Sequence, residues 1–373
     1  MNEPRNIKYK LICLVSVLAA GCLLWFLCLS NSAPIRESVS GGVELALSDR
    51  YDMRMNNMLS NALDGVLSIK KVYWLSDDDK VAPEPNPACY GTTDDPSSLQ
   101  WLLDQAADLL EGQELYFSTE TKLIPKTVLT YYLDETILAL TWKEKINNMT
   151  FTISEVKVAD GSQIRRFLSG GEFGSAVQMT TSEMAKSVNA VVAVSGDFYK
   201  YRRLGVITYD GKVMRFEGER LDSCYVNDNG DLLFTYRNEL KTQEEAENFV
   251  KQNNVRFSFA FGPILIDNGE KVKTDTYAIG EIRDRYSRGG IGQMGERHYI
   301  MTTVNYQYSG VVPNIWEFAN AVSQFGCDKF YTLDGGQTAT IVMNDKVINQ
   351  VDYGAERRIS DIIYFATAIP NTQ

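Results

Sequence analysis

The stretch Lys329 to Gln350, KFYTLDGGQTATIVMNDKVINQ, carries the reading of the fold. Two short apolar runs, Phe330-Tyr331-Thr332-Leu333 and Thr340-Ile341-Val342-Met343, flank the polar turn Asp334-Gly335-Gly336-Gln337-Thr338. A second turn at Asn344-Asp345 leads into Val347-Ile348. Paired glycines let a backbone take positive φ and approach another group closely. The turn therefore sets a carboxylate, an amide and hydroxyls beside bare backbone at a strand end, an arrangement for holding a polar ligand. Taken alone, it also suits a plain hairpin capped by Asp334.

The same mixture of short strands and turns runs through most of the chain. From Thr127 the texture is β, with strands expected at 128–132, 136–142 and 149–158. Further strands are expected at 190–194, 257–266, 299–304 and 359–366. A hairpin turns at Asp210-Gly211 between 204–209 and 212–216, and two more strands flank Asn229-Gly230. Helices are expected at 98–110, 162–168, 181–187, 242–253 (Thr242 as cap, with Glu245 three residues on) and 315–325. Val72 to Leu75 reads as a strand, and 77–96 as an acidic, Pro-rich loop without calcium-loop spacing. No internal repeat is present. The pattern is α+β, with mixed, mostly antiparallel sheets and a few packed helices.

Before this domain, Leu11 to Leu29 is an uncharged apolar run of 19 residues. At about 1.5 Å per residue it matches a bilayer core about 30 Å thick. Arg5, Lys8 and Lys10 put residues 1–10 in the cytoplasm, residues 11–30 across a cell membrane as a single-pass anchor, and the rest outside the cytoplasm. A cleaved signal peptide is the competing reading. Residues 31–126 then read as a juxtamembrane stalk with a helical and loop region, and 127–368 as the main domain. Cys89, Cys224 and Cys327 lie outside the anchor, an odd number without CxxC spacing, which fits neither a disulfide framework nor zinc.

Composition narrows the chemistry. Lys+Arg 37 against Asp+Glu 48 gives a net charge of −11, which argues against nucleic acid as a partner. One histidine, His298, rules out multi-His metal sites and makes any Ser-His or Cys-His nucleophile depend on that residue. Carboxylates, Arg, Tyr and backbone amides are left to do the work. The 20 Tyr and 16 Phe suit stacking on sugar rings, as they suit an ordinary core.

Four segments place functional groups beside glycine at the end of an apolar run: Ser195-Gly196-Asp197, Arg288-Gly289-Gly290-Ile291-Gly292-Gln293, Asp334-Gly335-Gly336, and Gly354-Ala355-Glu356-Arg357-Arg358. All four read as loops. Arginine grips phosphate in a bidentate fork, glycine loops offer amides to the same oxygens, and carboxylates serve as acids and bases at glycosidic bonds. Together they imply a phosphate-bearing sugar.

In order along the chain, S-G-D-F-Y (195–199), L-G-V-I-x-Y-D-G-K (204–212), F-G-P-I-L-I-x-N-G (261–269), R-G-G-I-G-Q (288–293), G-C-x5-L-D-G-G-Q-T-A-T (326–340) and E-R-x-I-S-D-I-I-Y (356–364) resemble the phosphodiester glycosidase family. That family includes the lysosomal uncovering enzyme and bacterial members labelled as exopolysaccharide-related. The resemblance covers 187–366. It implies hydrolysis of a sugar-1-phosphate diester, with Asp334, Asp197, Arg288 and Glu356 as catalytic residues. It implies substrate contacts from Gly196, Tyr199, Gly292, Gln293, Gly335, Gly336, Gln337, Thr338 and Arg357, with His298 as a possible proton donor against a structural reading. No cofactor is expected and no metal ligand is assigned, although acid-rich loops leave a divalent ion possible. The partner expected is a cell-surface glycan or phosphate-bridged polysaccharide. Ser195 stands where the family usually has Asn, and Thr338-Ala339 where it usually has two serines. These departures motivate an alternative, a catalytically silent glycan-binding or exopolysaccharide-assembly protein.

Overall fold

Nine strands, every neighbouring pair antiparallel, form the sheet on which the candidate site is built. A computed structural model describes residues 73–369 except 96, 118–123, 125–127, 218–219, 275–276 and 278–282. The expected membrane anchor and the first part of the expected stalk lie outside the described residues, and among the described residues no helix is long and apolar enough to cross a membrane. The chain divides into Met1–Lys71 and Val72–Gln373, and the second unit is described below.

The strand order of the large sheet is Tyr90–Thr93, Leu129–Leu133, Ile137–Ile146, Met149–Val158, His298–Val304, Arg288–Gly295, Lys329–Leu333, Ile264–Asp267 and Glu270–Lys271. A second sheet of five strands runs Lys346–Val347, Ile341–Met343, Val192–Ser195, Asp361–Phe365 and Ile164–Leu168. A three-stranded sheet (Leu232–Thr235, Ser223–Asn227, Val255–Phe259) and the hairpin Gly205–Tyr209 with Lys212–Glu217 complete the β structure. Trp142, Phe151, Phe259, Phe318 and Phe330 are fully buried in one main core. The mixed, mostly antiparallel α+β reading therefore holds.

The strands flanking the Asp334 turn do not form a hairpin. Lys329–Leu333 pairs with Arg288–Gly295 in the large sheet, while Ile341–Met343 pairs with Val192–Ser195 in the five-stranded one. The turn is thus the crossing point between two sheets, and it brings the ends of both together.

Other elements differ from the sequence expectation for identifiable reasons. Residues 162–168 are not a helix: a short 3-10 turn, Gly161–Gln163, leads into the edge strand Ile164–Leu168. Ile164 and Leu168 lie four residues apart, a spacing that serves one face of either a helix or a strand. The run 257–266 splits into Val255–Phe259 and Ile264–Asp267, which enter different sheets, because Gly262 takes a φ of 70° and Pro263 has no N–H for a ladder. Arg288–Gly295 is a central strand instead of a loop. Its glycines make room: a Cβ on Gly290 would lie 2.4 Å, and one on Gly292 2.7 Å, from the Phe330 ring. Tyr73 to Leu75 is not a strand, and the Leu75 amide donates to the Ser162 hydroxyl at 2.8 Å.

The segment read as stalk contributes to the main body. Tyr90–Thr93 extends the large sheet by pairing with Leu129–Leu133. The expected 98–110 helix is present as Ser97–Gln105 and Ala107–Leu110, with Leu102, Ala106 and Leu109 in the main core.

Candidate functional site

Asp334 follows the last residue of the strand Lys329–Leu333 and is only 8% exposed. Its amide donates to the Gly196 carbonyl at 2.9 Å, tying it to the end of Val192–Ser195. One carboxylate oxygen, Oδ1, accepts the Gly335 N–H at 2.9 Å. The other, Oδ2, is buried with no hydrogen-bond partner among the described residues. Burial of a charged group is unfavourable, so desolvation pushes the Asp334 carboxyl up to about 7. Asp197 adds to that rise, while the Thr338 hydroxyl, the Gly335 amide and the Arg357 charge oppose it.

Arg288 begins the neighbouring strand, whose Gly289 lies opposite Leu333. Its guanidinium is buried, donates to the Asp284 carbonyl at 2.7 Å and lies 5.7 Å from the centre of the Tyr286 ring. Burial lowers its pKa to about 10, with Tyr286 and Asp284 pulling it back, so it keeps its charge at neutral pH. The turn and this strand start touch through backbone: the Gly336 N–H donates to the Ser287 carbonyl at 2.7 Å. A Cβ at Gly335 would lie 2.4 Å from the same oxygen. Gly335→Ala is therefore expected to push the turn off the strand, costing about 1–3 kcal/mol of stability as an overpacked site does. Thermal unfolding checks the stability, and sugar release by the same variant is expected to fall by about tenfold or more.

The Gly354–Arg358 segment joins from a third side. The Gln337 amide donates to the Ala355 carbonyl at 2.9 Å. Arg357 is exposed, lying 5.6 Å from the Phe198 ring centre and 5.5 Å from that of Tyr201. Glu356 turns the other way: it accepts the Ser182 N–H at 3.0 Å and the Ser182 hydroxyl, in the first turn of the helix Thr181–Ser187. Its contacts are those of a carboxylate satisfying helix N–H groups.

Asp197 is close to Asp334, but both of its oxygens are occupied. Oδ1 accepts the Phe198 N–H at 2.6 Å and Oδ2 the Ala260 N–H at 2.7 Å. Its own N–H donates to Asp361 Oδ1 at 2.7 Å. Behind it, Arg166 donates to the Asp361 carboxylate and to the Ser258 carbonyl, and its Nη2 stands 3.9 Å from Asp197 Oδ2. The Arg166 and Asp361 side chains have no exposed surface. Burial opposes charge on both: it pushes the Asp361 carboxyl up, whereas the two carboxylates hold Arg166 firmly cationic. Tyr199 is 3% exposed, stacked on Phe173 with ring centres 5.4 Å apart, and covers this network. Asp197 and Tyr199 thus brace the wall of the site.

Three expected residues stand elsewhere. Gly292 packs under Phe330 inside the sheet. The Gln293 side chain accepts the Leu232 N–H at 2.8 Å and donates to Asp231 at 3.0 Å, anchoring the three-stranded sheet. His298 starts the strand His298–Val304, at the end remote from Arg288, since Arg288 lies opposite Val304. It is 2% exposed and bonded to Glu155 at 2.8 Å, and Glu155 also accepts the N–H groups of Tyr116 and Phe117. That is a structural histidine joining strand to chain, too distant to deliver a proton beside Asp334. Ala339 is fully buried, and its carbonyl accepts the Asn305 and Asn349 side chains. Ser195 is likewise buried at the strand end.

Sequence reasoning missed Arg166, Asp361, Ser287 and Asp352. Asp361 sits in the E-R-x-I-S-D segment and Arg166 in a stretch read as helix, so nothing paired them. Ser287 links two loops: its hydroxyl donates to Asp352 at 2.5 Å and accepts the Tyr306 N–H at 2.9 Å. No group of three or more His, Cys, Asp or Glu placed to hold a metal occurs among the described residues.

Comparison with known proteins bears on the family and the fold. A model of the phosphodiester glycosidase family matches residues 188–366. A Bacillus subtilis SPbeta prophage-derived protein, YomE, is 23% identical over 202 residues, which is 51% of this chain. The match spans 30% of that relative's length. The zebrafish N-acetylglucosamine-1-phosphodiester alpha-N-acetylglucosaminidase catalytic domain, determined as auto-inhibited by its pro-peptide, shares the fold with a TM-score of 0.50. That comparison has 18% identity and covers 78% of this chain and 99% of the zebrafish domain.

Proposed function

We propose that the protein, whose residues 188–366 match a model of the phosphodiester glycosidase family, hydrolyses a sugar-1-phosphate diester and releases the sugar. The carrying observation is the Asp334 carboxylate: buried, with one oxygen free of hydrogen bonds among the described residues, a pKa raised to about 7, and the Arg357 charge acting on it. A base works best when its pKa lies near the working pH.

In this reading the diester phosphate rests against Arg288 and Arg357, with the Gly335 and Gly336 turn at its side. Arginine neutralises the phosphate and makes it a better leaving group. Ionised Asp334 takes a proton from a water molecule as the water oxygen bonds to the anomeric carbon. The carbon–oxygen bond to phosphorus breaks, and its electron pair leaves with the phosphomonoester. A phosphomonoester needs less protonation on departure than a sugar alkoxide, so the absence of a nearby histidine is no obstacle. The apolar run 11–29, with basic residues before it, favours action outside the cytoplasm on a glycan at the cell surface.

A second reading, glycan binding without turnover, is favoured by the exchange of the family's serine for Ala339. Incubation of the full-length protein with an N-acetylglucosamine phosphodiester separates the two: sugar release supports hydrolysis, and binding without release supports the alternative. Arg288→Ala is expected to lower kcat/KM by about 10²–10³-fold, as loss of a charge-stabilising donor does. Near-parental turnover in that variant would remove Arg288 from the mechanism.

A further inference from the structure

Four tyrosines with large exposed surfaces are fastened around the groups just described. Tyr286 is 44% exposed, Tyr201 41%, Tyr306 62% and Tyr353 86%. Tyr286 covers Arg288, and Tyr201 covers Arg357. The other two are tied to Ser287, the residue before Arg288. The Tyr306 amide donates to the Ser287 hydroxyl, and that hydroxyl donates to Asp352, next to Tyr353. Asp352 also accepts the Gln307 N–H at 3.0 Å, which locks the two loops to each other.

Tyr353 is the most telling. It takes a φ of 61°, in the left-handed region that bulky side chains avoid. A strained backbone persists where surrounding bonds over-determine it, and such residues cluster at ligand sites. Here the strain serves no packing, since the ring is almost wholly in solvent. An exposed aromatic face on a loop fixed through its neighbouring residue is a platform for a sugar ring, and a guanidinium is a seat for phosphate. Two of the rings lie against Arg288 and Arg357, and the other two stand on loops tied to Ser287, the residue before Arg288.

We propose that this rim is an extended binding track for a phosphate-bridged glycan chain, with Tyr306 and Tyr353 holding sugar units beyond the one cleaved. The inference rests on the hydrolase reading for its substrate class, and it makes the natural ligand a polymer of several repeats instead of a single sugar phosphodiester.

Binding is measured with the full-length protein carrying Asp334→Asn, so that the ligand stays intact. The probes are poly(N-acetylglucosamine 1-phosphate) chains of increasing length, the corresponding monomeric methyl diester, an uncharged polymer of the same sugar, and polyphosphate. Affinity is expected to rise about tenfold or more from monomer to polymer as further platforms engage. Tyr353→Ala and Tyr306→Ala are each expected to weaken polymer binding by about 3- to 10-fold, the range of one aromatic contact. Phe at either position should retain it. Equal affinity for monomer and polymer, equal binding of polyphosphate or of the uncharged polymer, or parental polymer binding in both Ala variants would overturn the track. Length-dependent binding with no sugar release by the parental protein would leave the track standing and remove the hydrolase reading. Release from the monomer with length-independent binding would do the reverse.

Discussion

Asp334→Asn lowers kcat/KM for sugar release by about 10³-fold or more, the loss expected when a positioned base is removed. The same substitution stabilises the fold. The Asp334 carboxyl is raised from an ordinary value of 3.8 to about 7 by burial. Below pH 4 both the folded and the unfolded protein carry it protonated, so ionisation costs the fold nothing. Between pH 4 and 7 the unfolded chain releases that proton first, and stability falls as pH rises. Above pH 7 the full cost is present, on the order of 4 kcal/mol. An isosteric amide never ionises. The melting temperature of Asp334→Asn should therefore match the parent near pH 4 and exceed it increasingly up to pH 7–8. A variant equally stable or less stable at pH 8 would show that the parental carboxylate has partners that satisfy it.

The second large effect lies behind the site. Arg166→Met leaves Asp361 and Asp197 buried close together with their cation gone. Breaking a buried ion pair from one side typically costs about 3–5 kcal/mol, much of a domain's net stability. Urea unfolding at neutral pH should show that loss. Because the deficit comes from an uncompensated buried carboxylate, it should shrink as pH falls and Asp361, whose carboxyl burial pushes up, protonates. A deficit unchanged by pH would assign the loss to the contacts of the Arg166 guanidinium with the Tyr199 and Phe259 rings.

These two residues also mark what was legible in the sequence. The Asp334 turn, the Arg288 strand start and the Glu356-Arg357 segment could be picked out because each put a charged group beside glycine. The Asp334 turn and the Arg288 strand start meet through backbone at the sheet end, and the Arg357 charge acts on Asp334. What the pattern could not supply was direction. Glu356 points to a helix start, Asp197 has its oxygens filled by amides, and Gln293 serves a different sheet. Such choices are made by tertiary contacts more than 60 residues apart in sequence, as between Asp197 and Ala260. The glycines of 289–292 also misled, because they make room for an aromatic ring, a use that reads like a loop along the chain. Arg166 and Asp361, 195 residues apart, were invisible as a pair until strand pairing brought Ile164–Leu168 beside Asp361–Phe365.

The most direct test is the pH dependence of sugar release from an N-acetylglucosamine-1-phosphodiester, followed between about pH 5 and 9 for the parental protein and for Asp334→Asn. The account predicts that parental kcat/KM rises with pH through an apparent pKa of about 7 and then levels, as Asp334 ionises. It predicts that this step is absent, with only residual turnover, in Asp334→Asn. Turnover in the variant comparable to the parent, or a parental rate flat across pH 7, would contradict it.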